Sequence, residues 1–207
     1  MRPFLSQWRA EFSLAMRQGE QLLVSVGIPL GILVFFSQID VVRFDGVDAV
    51  DYLTPATMAL AVMSTSMVSL GIGAGCARND GVLQRLGSTP LGRGRWLAAK
   101  VATVGTIEVG QVAVLAMVGA ALGWRPPPTW PLGLVALALG TAAFAGIGLA
   151  LAGRLPALAN LAATNSLYLV LLLIGGMVVP IDKFPAPLAA VAHALPAAPL
   201  AGLTVTT

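Results

Sequence analysis

The sequence predicts an all-α membrane protein whose apolar helices cross the bilayer several times, as a single transmembrane domain over residues 1–207. It is 57% hydrophobic and only 10% charged, whereas a soluble domain carries about a quarter charged residues. Five segments meet or approach the roughly 20 apolar residues that a helix needs to span the hydrocarbon core. The basic residues lie in the gaps between these segments. A water-soluble globule is therefore excluded.

Residues 1–20 are predicted to form an amphipathic helix at the membrane surface. Their apolar side chains recur at helical spacing, while Arg9 and Arg17 fall elsewhere on the wheel. The apolar positions are Phe4, Leu5, Trp8, Phe12, Ala15 and Met16. A cleaved signal peptide is the alternative, but the apolar run begins only at Gln21 and no small-residue cleavage site follows it.

The predicted spans are residues 21–37, 52–76, 97–123, 131–152 and 156–179. Pro29 predicts a kink in the first span. The second opens with Thr54 and Pro55, which predicts a hydroxyl cap followed by proline at the first helical position. Four glycines are predicted to allow close helix approach: Gly71, Gly75, Gly146 and Gly148.

The segment after the fifth span is rich in proline and is predicted to form a re-entrant helical element on the extracytoplasmic side. Prolines at 180, 185, 187, 196 and 199 leave no room for an unbroken spanning helix between 179 and 200. Irregular backbone at membrane depth is tolerated where protein or a water-filled cavity covers it. The sequence becomes apolar again near Thr207, so we expect a sixth span beyond that residue.

The basic residues assign the orientation, because arginine and lysine near span ends are retained on the cytoplasmic side. With the N-terminus inside, one side holds Arg2, Arg9, Arg17, Arg78, Arg85, Arg93, Arg95, Lys100 and Arg154, and the other holds Arg43, Arg125 and Lys183. All four tryptophans fall at predicted span borders, where indole rings are favoured. The N-terminus is therefore predicted to be cytoplasmic.

Several function classes are excluded by what the sequence lacks. Cys76 is the only cysteine and His193 the only histidine, which removes disulfide frameworks, thiolate metal sites and most hydrolytic triads. No P-loop motif is present, so the chain does not bind ATP in that way. The basic residues form no continuous stripe, which argues against nucleic-acid binding.

The loop at 78–96 is the most informative segment, because it is too long to be a simple turn. Val82, Leu83 and Leu86 give it a small apolar face beside Gln84 and Arg85, on a short helix that ends before Gly87 and Pro90. Such a helix suits docking into a groove of a soluble partner. The alternative is a solvated basic loop placed there by the positive-inside rule.

The loop resembles the signature of type 2 ATP-binding-cassette (ABC) permeases, a family of drug, polysaccharide and lipid exporters. The residues that carry the resemblance are Gly81, Leu83, Leu86, Thr89, Pro90 and Leu91, then Arg93 or Arg95, then Lys100. The resemblance extends to the N-terminal helix, the order of spans and the proline-rich element at 175–199. It therefore covers essentially the whole chain.

This resemblance implies a permease subunit of the bacterial cytoplasmic membrane that pairs with a second one, identical or paralogous, and rests on two cytoplasmic ABC ATPase subunits. ATP and Mg²⁺ would be bound by the ATPases, with no cofactor on this chain, and residues 81–88 would form the coupling helix. The predicted coupling residues are Gly81, Val82, Leu83, Arg85, Leu86, Thr89, Pro90 and Leu91. The short external loops favour export of a lipophilic or amphipathic substrate reached from the membrane lipid. A channel-like or structural subunit and an intramembrane enzyme are the alternatives.

Polar residues within the predicted spans are candidates for a substrate path. Glu108 lies near mid-depth of the third span, with Gln111 one turn along. A carboxylate there is costly and is expected to face the bundle interior, in a structural role or in substrate or proton handling. Asn160, Thr164 and Tyr168 recur every four residues on the fifth span. This stripe either lines a substrate cavity or joins helices through hydrogen bonds.

Overall fold

The computed structural model of the chain describes residues 2–17, 19–38, 48–87, 89, 91–128 and 130–174. Within these ranges all regular structure is helical, which confirms the all-α prediction. The helices are α1 Arg2–Arg17, α2 Gly19–Gln38, α3 Ala49–Met63, α4 Leu70–Asn79, α5 Val82–Gly87, α6 Gly92–Ala121, α7 Trp130–Arg154 and α8 Ala157–Ile174. A π-helical segment, Ser64–Ser69, joins α3 to α4. The re-entrant element predicted at 180–200 lies outside the described residues.

Among the described residues, three helices are long and apolar enough to cross a membrane. They are Ala49–Asn79, Gly92–Ala121 and Trp130–Arg154, which correspond to the predicted second, third and fourth spans. The predicted first and fifth spans contain shorter apolar helices, Leu23–Gln38 and Ala157–Leu173. Pro29 lies inside α2 and the helix continues on both sides of it, so the kink stays a prediction.

The continuous helix formed by α3, the π-helical segment and α4 lies at the centre of the bundle. Every residue from Tyr52 to Met63 is buried. A helix that is apolar on all sides needs other elements around it, and here α2, α6 and α7 pack against α3 while α7 and α8 pack against α4. Leu115 of α6 and Phe144 of α7 are fully buried in the same core.

The central helix begins earlier than Thr54 and Pro55 predicted, so that interpretation was wrong. Ala49 is its first residue and Asp48 precedes it with extended backbone, which places Pro55 inside the helix. Thr54 does not cap the helix, because its Oγ1 donates to the carbonyl oxygen of Val50 at 2.8 Å. Membrane helices tolerate an interior proline where neighbouring helices enclose it, and Pro55 is buried in the bundle.

Glycines bring α4 close to both α7 and α8. A Cβ added at Gly71 would lie 2.9 Å from the Cα of Gly148, so these helices pack backbone to backbone. A Cβ at Gly75 would collide with the side chain of Asn160 on α8. These predictions are confirmed, whereas the one for Gly146 was wrong. A Cβ at Gly146 meets nothing within 4 Å. Gly146 is two residues from Gly148, and a step of two residues along a helix places a side chain on nearly the opposite face.

The N-terminal helix α1 is joined to α6 by an ion pair. Lys100 Nζ donates to Glu11 Oε2 at 3.0 Å and lies 5.2 Å from the centroid of the Trp96 ring. Gln7 Nε2 donates to the other carboxylate oxygen of Glu11 at 2.9 Å. The predicted helix is therefore confirmed, and its position at the membrane surface stays a prediction.

Candidate functional site

Two glycines with positive φ delimit the connection between α4 and α6. Gly81 has φ +72° and Gly92 has φ +70°, a conformation that residues with a side chain adopt only at a cost. Helix α5, Val82–Gly87, lies between them. The short helix predicted in this loop is confirmed, and it joins the ends of two spanning helices.

Helix α5 is anchored by few contacts, and none of its residues is buried. Arg93 Nε in the first turn of α6 donates to the carbonyl oxygen of Leu83 at 2.8 Å. Thr89 Oγ1 donates to the carbonyl oxygen of Leu86 at 2.9 Å. The apolar side chains are half-buried and the polar ones exposed: Val82, Leu83 and Leu86 in the first group, Gln84 and Arg85 in the second. The helix therefore presents apolar and charged atoms together, as a docking helix does.

The remaining predicted coupling residues flank this helix. Gly81 precedes it and Thr89 follows it in exposed backbone, while Leu91 is half-buried directly before α6. Pro90 lies outside the described residues. The structure thus brings the described coupling residues to one connection, and their contact with an ATPase stays a prediction.

A polar cluster lies inside the bundle where α2, α6 and the π-helical segment meet. Gln111 Nε2 donates to Ser25 Oγ at 3.1 Å, and Thr65 Oγ1 donates to Gln111 Oε1 at 2.9 Å. Three helical segments thereby satisfy one another's polar groups away from water. Sequence reasoning missed Ser25 and Thr65, although the hydroxyl-rich run at 64–69 was a signal. π-helical turns are rare and frequently occur at functional sites.

Glu108 lies one turn before Gln111 on α6 and faces α7. Only 5% of its surface is exposed, and Thr141 Oγ1 donates to its Oε2 at 2.6 Å. Its Oε1 is buried and has no hydrogen-bond partner among the described residues. An unpaired buried acceptor is costly. This oxygen is therefore the atom that would meet a donor group on a substrate if Glu108 lies on the substrate path.

Replacement of Glu108 by glutamine is expected to leave the fold intact. Thr141 can donate to the amide oxygen as it does to Oε2, so we expect the free energy of unfolding to change by less than about 1 kcal/mol. Thermal unfolding in one detergent checks this, with Glu108→Leu as the variant that removes the acceptor. A larger loss in Glu108→Gln would contradict the expectation, and a folded variant without transport would assign the carboxylate to the substrate path.

The polar stripe on α8 makes contacts that join helices. Asn160 and Thr164 are fully buried. Asn160 Nδ2 donates to the carbonyl oxygen of Gly71 on α4 at 3.0 Å, and Thr164 Oγ1 donates to Asn160 Oδ1 at 3.4 Å. Tyr168 is half-buried one turn further on. The bond to Gly71 favours the helix-joining alternative for Asn160, while a place for the stripe on a substrate path stays a prediction.

A cavity of about 530 Å³ lies between α1, α2, α4 and α6. Its volume is within the range of about 300 to 1,000 Å³ that is typical of small-molecule sites. Glu11, Asp80 and Lys100 line it at the end near α5, and Ser25 and Thr65 line it deeper in the bundle. Because Ser25 and Thr65 both bond to Gln111, the cavity reaches the polar cluster.

The family model described as ABC-2 type transporter matches residues 1–202 of the chain. No curated protein and no solved structure gives a significant match. Within the ranges that the structure describes, no group of three or more His, Cys, Asp or Glu side chains could hold a metal ion. The match covers the eight α-helices that the structure describes and the connection that contains α5.

Proposed function

The chain belongs to the ABC-2 type transporter family and is a membrane permease subunit, and we propose that it exports a lipophilic or amphipathic substrate with energy from a separate ATPase. Two ABC ATPase subunits bind ATP and Mg²⁺ on its behalf, and a second permease subunit, identical or paralogous, completes the transporter. The chain lies in the bacterial cytoplasmic membrane with its N-terminus in the cytoplasm. In this orientation α5 faces the ATPases.

The observation that supports this proposal most directly is the exposure of α5. A six-residue helix that buries none of its residues gains little stability from its own chain, since short isolated helices are marginal in water. Its half-buried Leu83 and Leu86 are available to be covered by a partner. An ATPase that covers them stabilises the helix and is thereby attached to the membrane domain.

Movement of α5 is passed to a spanning helix through Arg93. This side chain belongs to the first turn of α6 and bonds to the backbone of Leu83, so α5 and the beginning of α6 move together. ATP binding shifts the membrane subunits between inward-open and outward-open states only if the ATPases contact α5 with different free energies in the two states.

The substrate class follows from where polar and apolar groups lie. On the side away from α5, the connection between α6 and α7 is short, and the structure describes residues 122–128 of it. Within the bundle the candidates for substrate contact are Glu108 and Gln111, both nearly fully buried. A substrate that enters from the lipid and carries a few polar groups fits this arrangement better than a hydrated one.

Co-expression with an ABC ATPase encoded in a neighbouring gene tests the proposal. We expect the ATPase to co-purify with the chain, and inverted membrane vesicles that contain both to accumulate a fluorescent lipophilic dye when ATP is added. An ATPase whose catalytic glutamate is replaced by glutamine is the control. ATP-independent flux would instead indicate a channel, and a complex without any flux a structural subunit.

A further inference from the structure

We propose that the cavity between α1, α2, α4 and α6 is a binding site for a single-chain cationic amphiphile. The residues that line the cavity come from these four helices, from the π-helical segment and, at Val82, from α5. The proposal concerns binding alone, so it can be tested independently of ATP-driven export. The volume of about 530 Å³, an apolar wall and an acidic rim carry the inference.

The wall of the cavity suits an alkyl chain. Its larger apolar residues come from four helices: Leu14 of α1, Leu70 and Ile72 of α4, Val82 of α5, and Val104 and Ile107 of α6. Gly73 of α4 also lines the cavity, and a Cβ added there would meet nothing within 4 Å. An apolar tail placed along this wall is removed from water, which favours binding in proportion to the area covered.

The rim of the cavity favours a positive charge. Among the lining residues that the structure describes, the charged ones are Glu11, Asp80 and Lys100, two carboxylates against one ammonium. The ammonium of Lys100 is already paired with Glu11 at 3.0 Å. Among the described residues the carboxylate of Asp80 makes no hydrogen bond or ion pair, so it remains available to a cationic headgroup.

The apolar and acidic parts are aligned along one face of α4. Gly73, Cys76 and Asp80 all line the cavity, and spacings of three and four residues place them on the same side of the helix. Seven residues at 1.5 Å each put Asp80 about 10 Å from Gly73 along the helix axis. A headgroup at Asp80 therefore leaves room for a tail that runs past Gly73 towards Ser25 and Thr65.

The single cysteine of the chain provides the measurement. Cys76 lines the cavity and is exposed, so its reaction with a maleimide reports whether the cavity is filled. The full chain is placed in phosphatidylcholine nanodiscs without nucleotide and labelled with added dodecyltrimethylammonium or, at matched concentration, dodecanoate, both below their micelle concentrations. We expect dodecyltrimethylammonium to slow labelling in a saturable way and dodecanoate to have little effect.

Two variants separate the cavity from the bulk lipid. Gly73→Leu fills the open wall and should weaken protection by dodecyltrimethylammonium on the order of tenfold. Its control is Gly146→Leu, because Gly146 is an open glycine of α7 outside the cavity. This control should leave the protection unchanged. Asp80→Asn should weaken it about threefold, because an exposed ion pair contributes modestly, with Asp48→Asn at the far end of the central helix as its control.

Equal protection by the two amphiphiles, or full protection in Gly73→Leu, would overturn the site. Loss of protection in Gly146→Leu as well would assign the effect to the surrounding lipid and would also overturn it. Because no ATPase is present, failure here leaves the export proposal standing, and failure of ATP-driven dye accumulation leaves the binding site standing.

Discussion

Aspartate at both Leu83 and Leu86 is expected to abolish capture of the ATPase. The two leucines are half-buried on a helix that buries none of its residues, so a partner that covers α5 must cover them. Two carboxylates placed in that interface lose their hydration without gaining a partner, which costs several kcal/mol. We expect the affinity to fall at least about 100-fold, measured by co-purification from detergent extracts and by ATP turnover of the complex.

The control for this change is Leu155→Asp in the connection between α7 and α8. Leu155 is half-buried, and its carbonyl oxygen accepts a hydrogen bond from Arg78 Nη1 at 3.3 Å, so it lies at the same end of the bundle as α5. It is not part of the predicted coupling site, and we expect the ATPase to remain bound. Unchanged co-purification and ATP turnover in the double variant would rule out α5 as the docking helix.

The positions of the spanning helices were predictable because the bilayer fixes their length. An apolar run of about 20 residues has few possible structures in a membrane other than a spanning helix. The second, third and fourth predicted spans correspond to helices that are long enough to cross the bilayer. Their ends were less predictable. Thr54 and Pro55 indicated a helix start by rules for soluble proteins, but inside the bundle the helix extends back to Ala49.

The short helix α5 was predictable because its signal is local. Glycines at its borders and apolar residues at helical spacing are close together in the sequence. The polar cluster was not predictable, because Gln111 meets Thr65 and Ser25 across 46 and 86 residues of sequence. The ion pair between Glu11 and Lys100 likewise joins residues that are 89 positions apart, and the cavity beside it depends on how four helices meet.

Helix α6 connects the features that were predicted separately. Along it, Arg93 bonds to α5, Lys100 to α1, Glu108 to α7, and Gln111 to both α2 and the π-helical segment. Between Arg93 and the buried Glu108 and Gln111, the contact of Lys100 with α1 therefore comes first along α6. The cavity lies along the same path, since Lys100 and Val104 line it. A bound amphiphile would therefore contact α6, the helix that we propose to transmit movement of α5.

Leucine at Gly148 is expected to destabilise the membrane domain by about 3 kcal/mol or more, since overpacking that displaces backbone is at the upper end of such effects. A Cβ at this position would lie 2.6 Å from the carbonyl oxygen of Met67 and 3.2 Å from the Cα of Gly71. Both obstacles are backbone atoms of the buried central helix, so no side chain can rotate away to make room.

Gly146→Leu separates this packing effect from the effect of leucine on helix propensity. Both glycines lie in α7, Trp130–Arg154, and both replacements favour the helix by a similar amount. At Gly146 the added side chain enters open space, so we expect its thermal midpoint to remain within a few degrees of the parent, while that of Gly148→Leu falls well below. Equal midpoints would mean that α4 and α7 can separate without loss, and the close approach at Gly71 and Gly148 would then not stabilise the domain.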